Sequence, residues 1–196
     1  MPSPIGHTLA GFAIGLLARP DPSASPGQPQ SSPYLFPTVG ALVAALPDAD
    51  LLIPNFHRAA THSLGATALL IILTAVVTGQ VTGRVRWRLV LLVAAAQGSH
   101  VLMDWLGADP TSPAGVQAFW PFDSRFYISG LDWFPQTERG LENPGAFDKN
   151  LRALLFELST MAPLVLVSWW ARLWATRRRR SLDPISVPDT PPPPSV

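Results

Sequence analysis

Apolar residues gather into five stretches separated by polar or basic ones. The first, residues 5–18, is shorter than the roughly 20 residues of a full membrane span. No basic residue precedes it and Arg19 follows directly, the reverse of a secretory signal, so a short retained membrane helix is expected. Residues 20–34 carry five prolines among serine, glycine and glutamine, the composition of a flexible loop. The second stretch, 36–54, is interrupted by Pro47, which should kink or end a helix just before Asp48. Residues 64–82 form the clearest span, and Arg84, Arg86 and Arg88 separate it from a fourth at 89–106.

Residues 107–150 break this rhythm, being polar and rich in aromatics from Trp120 and Phe122 to Trp133 and Phe134. A fifth span at 153–175 ends in Trp169, Trp170 and Trp174, as an interfacial aromatic cluster would. Arg177–Arg180 and a proline-rich stretch follow, which reads as a disordered tail. The expected fold is all-α: a polytopic membrane bundle of about five apolar helices with a long extracytoplasmic loop. One membrane-embedded domain is expected over 1–176, and the tail over 177–196.

Composition supports the membrane reading. Hydrophobic residues make up 47% of the chain and charged ones only 14%, against roughly 25% charged in an ordinary soluble domain. A formal net charge of +1 gives no electrostatic footing for nucleic-acid binding. The absence of cysteine removes disulfides, thiolate zinc sites and cysteine nucleophiles.

Short loops rich in arginine stay cytoplasmic. The cluster Arg84/Arg86/Arg88 and the run Arg177–Arg180 are therefore both expected inside, with two spans between them. Counting back places the 55–63 loop and the N-terminus outside an inner membrane. On this topology His7, Asp48, Asp50, His57, His62, His100 and Asp104 all fall at one side and near one depth. His100 and Asp104 are spaced i, i+4 and share a helix face. His57 and His62 are five apart and are expected to act from a loop, with Thr61 or Ser63 capping the next helix. Asp48 and Asp50 either both bind a metal, or one binds while the other orients a histidine. Each group also has a bland alternative, as an interhelical hydrogen bond or a helix-ending turn. The case for a site is joint, because acids and histidines in or beside a membrane are costly.

Imidazole with carboxylate suits zinc best, with manganese and iron as alternatives. Glu157, one turn into the fifth span, is a further candidate ligand or general base. Arg58 is placed to clamp an anionic phosphate oxygen. Asp50, Arg58 and Glu157 are thus the residues expected to assist catalysis, while Asp123 and Asp132 read as ordinary loop acids.

These residues also carry a family resemblance. An early His7, Pro47-Asp48-Ala49-Asp50, His57-Arg58-Ala59-Ala60-Thr61-His62-Ser63 and His100-Val101-Leu102-Met103-Asp104 resemble the YdjM-like family of membrane-bound proteins. Trp120-Pro121-Phe122, followed by Ser124-Arg125-Phe126, resembles the same family's later segment. The resemblance implies a multi-helix inner-membrane protein with a metal-dependent hydrolase site. A more distant similarity is to zinc-dependent phospholipase C and P1-type nucleases, but no histidine follows His100 to supply their second ligand set.

The expected activity is hydrolysis of a phosphoester by metal-activated water at the outer membrane boundary. A membrane lipid or lipid-linked compound is the expected substrate. A metal-binding structural or regulatory protein is the alternative. A metal-ion transporter fits less well, because the inner halves of the third and fourth spans read as apolar.

Overall fold

The computed structural model describes residues 1–18, 32–53, 58–138, 140 and 142–182. His57, most of the 20–34 loop and the tail beyond residue 182 lie outside the described residues. The described chain is helical. The first helix, α1 (Pro4–Leu17), starts with Pro4, whose missing N–H costs nothing there. Ser3 caps it by accepting from the Gly6 N–H at 3.3 Å. α2 (Leu35–Ala45) passes into a 3-10 helix over Leu46–Leu52 that has Pro47 near its start. The α-helix thus ends just before Pro47, as expected, and the chain continues as a tighter 3-10 helix.

A short 3-10 turn over Ala60–His62 precedes α3 (Leu64–Thr82). Ser63 caps α3 by accepting from the Ala66 N–H at 2.9 Å, and Gly83, at φ 71°, ends it in a left-handed turn. α4 covers Trp87–Leu106 and α5 covers Ala146–Leu182. Among the described residues four helices are long and apolar enough to cross a membrane, when α2 is counted with its 3-10 extension; α1 is a shorter apolar helix.

α1 packs on α2, α4 and α5, and α3 packs on α4. Hydrophobic burial gives helices little reason to associate in lipid, so close packing must do it. Glycines make that possible between α1 and α2. A Cβ at Gly11 would lie 2.2 Å from the Gly40 carbonyl oxygen, and one at Gly15 would lie 2.4 Å from that of Phe36. α3 instead turns Leu69, Ile72, Leu73, Val76, Val77 and Val81 outward, as a lipid-facing helix does.

Two details differ from the sequence-based expectation. The inner half of α3 is not purely apolar, since it holds Thr74, Thr78 and Thr82 with exposed Gln80. The threonine hydroxyls donate to the carbonyls of Leu70, Thr74 and Thr78 one turn back, so they are satisfied within the helix. α5 also outruns the expected 153–175 span at both ends. Its extra turns run through Asp148 and Lys149 at the start and through the backbone of the arginine run at the end. Lys and Arg are good helix formers, so charge ends the membrane span without ending the helix.

Residues 107–145 contain no regular helix or strand among the described residues. The segment folds back on the bundle end. Ser129 and Trp133 donate backbone N–H groups to the carbonyls of Trp105 and Leu106, both at 2.9 Å. Phe134 is buried with Ala10, Met103 and Met161, which joins the segment to α1, α4 and α5.

Candidate metal centre

α1 and α3 begin, and α2 and α4 finish, at the same end of the bundle. This connectivity gathers the polar residues. His7 lies in the first turn of α1, and Asp48 and Asp50 lie in the 3-10 extension of α2. His62 closes the 3-10 turn before α3, and His100 and Asp104 face inward from the last turns of α4. The three histidines are fully buried and Asp104 is 1% exposed.

Asp104 sits at the centre. Its Oδ1 is 3.4 Å from His7 Nε2, while its Oδ2 is 3.1 Å from His100 Nε2 and 3.5 Å from His62 Nε2. Asp48 Oδ1 lies 3.7 Å from the same His62 nitrogen. Asp48 and Asp50 are two apart on a helix of about three residues per turn, so they point in different directions. They use this to address opposite nitrogens of one ring: Asp50 Oδ2 lies 3.2 Å from His62 Nδ1. Of the two roles open to Asp48 and Asp50, this geometry gives the orienting one to Asp50. Asp50 is itself held by the Thr61 hydroxyl, which donates to Oδ2 at 2.5 Å.

Tautomers follow from these partners. His100 Nδ1 is 2.7 Å from the Ala44 carbonyl oxygen, an acceptor only, so Nδ1 carries the hydrogen and Nε2 presents its lone pair inward. The Asp50 contact gives His62 the same polarity. An outer acceptor on one imidazole nitrogen that frees the other is the usual support of a histidine ligand. Burial alone would lower the His62 pKa, but Asp48 and Asp50, with Asp104 nearby, raise it to about 9, so without a cation the ring also carries a proton on Nε2, which a bound metal would displace.

Several inward atoms are buried and make no hydrogen bond among the described residues. They include both His7 nitrogens, His100 Nε2, Asp104 Oδ2 and Asp48 Oδ2. Leaving buried acceptors unmatched is costly, and here they face one another. Two overlapping triads, His7/His100/Asp104 and Asp48/His62/His100, each keep their ligand atoms within 4.8 Å of one another. Nitrogen and oxygen ligands at about 2.0–2.1 Å from a tetrahedral ion lie about 3.3 Å apart. The observed separations of 3.1–3.7 Å bracket that value. The cluster can hold one small divalent cation.

The other candidates lie elsewhere. Glu157 is buried on α5, but its carboxylate accepts from the Ser3 N–H at 2.6 Å and from the Ser3 hydroxyl, so it anchors the start of α1. Arg58 is engaged too, since its Nη1 donates to Asp109. Burial opposes charge on Asp109, yet hydrogen bonds from Thr111 and Gly115 and the Arg58 guanidinium hold its pKa below the usual carboxylate range. Asp123 binds Arg125 and Tyr127 in the surface segment, as befits a loop acid. The cap before α3 is Ser63, which leaves Thr61 to its role at Asp50.

Sequence reasoning missed Gln97. It is buried in α4, and its Nε2 donates to the Thr61 carbonyl at 3.0 Å, which ties the His62 turn to the helix bearing His100. Its signal was available: a polar side chain inside a span, three residues before His100 on the same face. Asp109 had no comparable signal.

No curated protein and no solved structure shows significant similarity to the chain. A family model does match, over residues 1–175, which takes in the whole His/Asp cluster and nearly all of the helical bundle. Together with the apolar helices, that match makes the chain a member of the YdjM inner membrane protein family.

Proposed function

We propose that this protein is a metal-dependent hydrolase of the inner membrane that acts on a phosphoester in a lipid or lipid-linked substrate. The observation that carries the reading is the convergence of His7, His62, His100, Asp104 and Asp48 from four chain segments on one buried point. Zinc is the preferred ion for this donor set, with manganese or iron as alternatives. A bound divalent ion supplies Lewis-acid activation of water and of a phosphoryl oxygen. The protein's own contribution is orientation: Ala44 and Asp50 fix the proton on the outer nitrogens of His100 and His62. Asp48 is the most exposed member, with its side chain 11% accessible, and is the carboxylate placed to take a proton from an incoming water.

The side of the membrane follows from the basic residues. Arg84 and Arg86 lie between α3 and α4 at the end opposite the cluster. Arg172 donates to the Pro33 carbonyl before α2 at 2.5 Å, so the C-terminal part of α5 is also at that far end. The positive-inside tendency then makes the far end cytoplasmic and the cluster extracytoplasmic.

One observation favours a second reading, in which the metal only ties the loops together: three fully buried histidines leave a substrate little room. Purified protein in lipid nanodiscs separates the two. The hydrolase reading expects stoichiometric metal and turnover of a fluorogenic phosphodiester or labelled phospholipid, both lost in His100→Ala and Asp104→Ala. Metal-dependent stability without turnover supports the structural reading, and a folded wild type that takes up no metal defeats both.

A further inference from the structure

The segment between α4 and α5 exposes large apolar side chains in two groups. Phe119, Trp120 and Phe122 form the first, with Phe122 at 96% exposure, and Leu131 and Trp133 form the second. A water-facing loop has no reason to hold such residues out in solvent, and contiguous exposed apolar surface marks a contact.

Each group is fixed against the end of a membrane helix. The first lies on the opening turn of α3: the Leu64 N–H donates to the Ala118 carbonyl at 2.9 Å. A Cβ at Gly65 would sit 2.1 Å from the Trp120 carbonyl oxygen. The second lies on the closing turn of α4, through the bond from the Trp133 N–H to the Leu106 carbonyl. Exposed Leu64 and Leu69 on α3, and Leu102 and Trp105 on α4, carry the lipid-facing surface of both helices up to these groups.

We infer that residues 119–133 are a membrane-interface element, with Phe122 and Trp133 inserted among lipid headgroups and upper acyl chains. The bilayer is the chosen partner because the patch continues the surface that α3 and α4 already present to lipid. Aromatic rings are also the side chains that favour this layer. Asp123 and Arg125, between the two groups, pair with each other at 2.7 Å, which leaves Asp132, exposed beside Trp133, as the remaining charge of residues 119–133. The inference does not depend on a metal in the His/Asp cluster.

The chain has no cysteine, so single spin labels can be placed at Phe122→Cys, Trp133→Cys and, as an exposed polar comparison, Ser124→Cys. Power saturation is read in nanodiscs of phosphatidylethanolamine and phosphatidylglycerol, with oxygen as the lipid-soluble relaxant and a nickel chelate as the aqueous one. The labels at 122 and 133 should meet oxygen more than nickel, and the label at 124 the reverse. Nickel-dominated relaxation at either 122 or 133 overturns the inference, whether the segment is then a free loop or a face for a soluble protein. Labelling wild-type protein with photoreactive phospholipid and mapping the cross-links checks the result without any substitution. Cross-links absent from 119–133 would also overturn it.

Discussion

The imidazoles of His7 and His100, carried by α1 and α4, stack with centroids 3.8 Å apart and planes 26° from parallel. Two protonated rings at that distance would repel strongly in a buried site. Two neutral rings with a carboxylate between their Nε2 atoms are instead arranged to share a cation, and Asp104 supplies that carboxylate. Asp104→Asn keeps the shape and removes the charge, so it should abolish stoichiometric zinc while leaving the protein folded in detergent. Adding zinc at about 100 times its Kd should stabilise the wild type by about 2.7 kcal/mol and Asp104→Asn by almost nothing. Thermal melts with and without chelator, together with elemental analysis, measure both.

Asp48 and Asp50 should separate cleanly. Asp50 addresses the outer nitrogen of His62 and accepts from Thr61, so Asp50→Ala frees the ring without deleting a ligand. Loss of an orienting partner typically weakens metal binding about 10–100-fold. Asp48 faces the inner nitrogen, and Asp48→Ala should cost more affinity than Asp50→Ala. Zinc titration against a competing chelator ranks them, and equal losses would remove the distinction between the two roles.

Much of this was legible before any coordinates. The apolar runs located all five helices, because a membrane span must be long, apolar and bounded by charge or glycine. The arginines alone put the candidate ligands at one end, and the connectivity of the helices agrees. The i, i+4 spacing of His100 and Asp104 gave their contact directly. What could not be read were partnerships made across the fold. Glu157 looked like a further ligand or general base because nothing in its own helix reveals that Ser3 meets it. Arg58 looked free for phosphate because Asp109 lies in a segment without periodicity. Asp48 and Asp50 looked equivalent until the 3-10 geometry set them on opposite sides of His62. His57 lies outside the described residues.

The Arg58–Asp109 pair reads as a latch between the His62 loop and the 107–145 segment. Removing one member of a buried pair strands the other, at a typical cost of about 3–5 kcal/mol, whereas replacing both by apolar groups costs far less. Arg58→Met and Asp109→Leu should each destabilise the protein, and the double variant should recover the part due to the stranded charge but not the part due to the Thr111 and Gly115 donors that Asp109 also satisfies. Turnover that stays low in a stable double variant would show that Arg58 also meets substrate. The pH dependence has a definite sign. The Asp109 pKa is depressed on folding, so its contribution is present above the ordinary carboxylate value and is lost as pH falls through the lower folded one. Subtracting the acid-unfolding profile of Asp109→Asn from that of the wild type should isolate a loss confined to that acidic window.

Gln97 makes the sharpest test of how the site is held. Its amide spans from α4 to the Thr61 carbonyl, and through Thr61 it sets both Asp50 and His62. Gln97→Leu keeps the volume but leaves that carbonyl unmatched, a cost of about 1–3 kcal/mol. With the His62 turn released, metal affinity should fall about 10–100-fold, as for loss of an orienting group. The buried Oε1 makes no hydrogen bond among the described residues, so a direct role as ligand is the competing account. Cobalt(II) substitution decides between them. A positioning role leaves the visible cobalt spectrum of Gln97→Leu at saturation unchanged in shape and intensity, with only the titration midpoint moved. A changed spectrum at saturation would make Gln97 a ligand and the cluster larger than the His/Asp set.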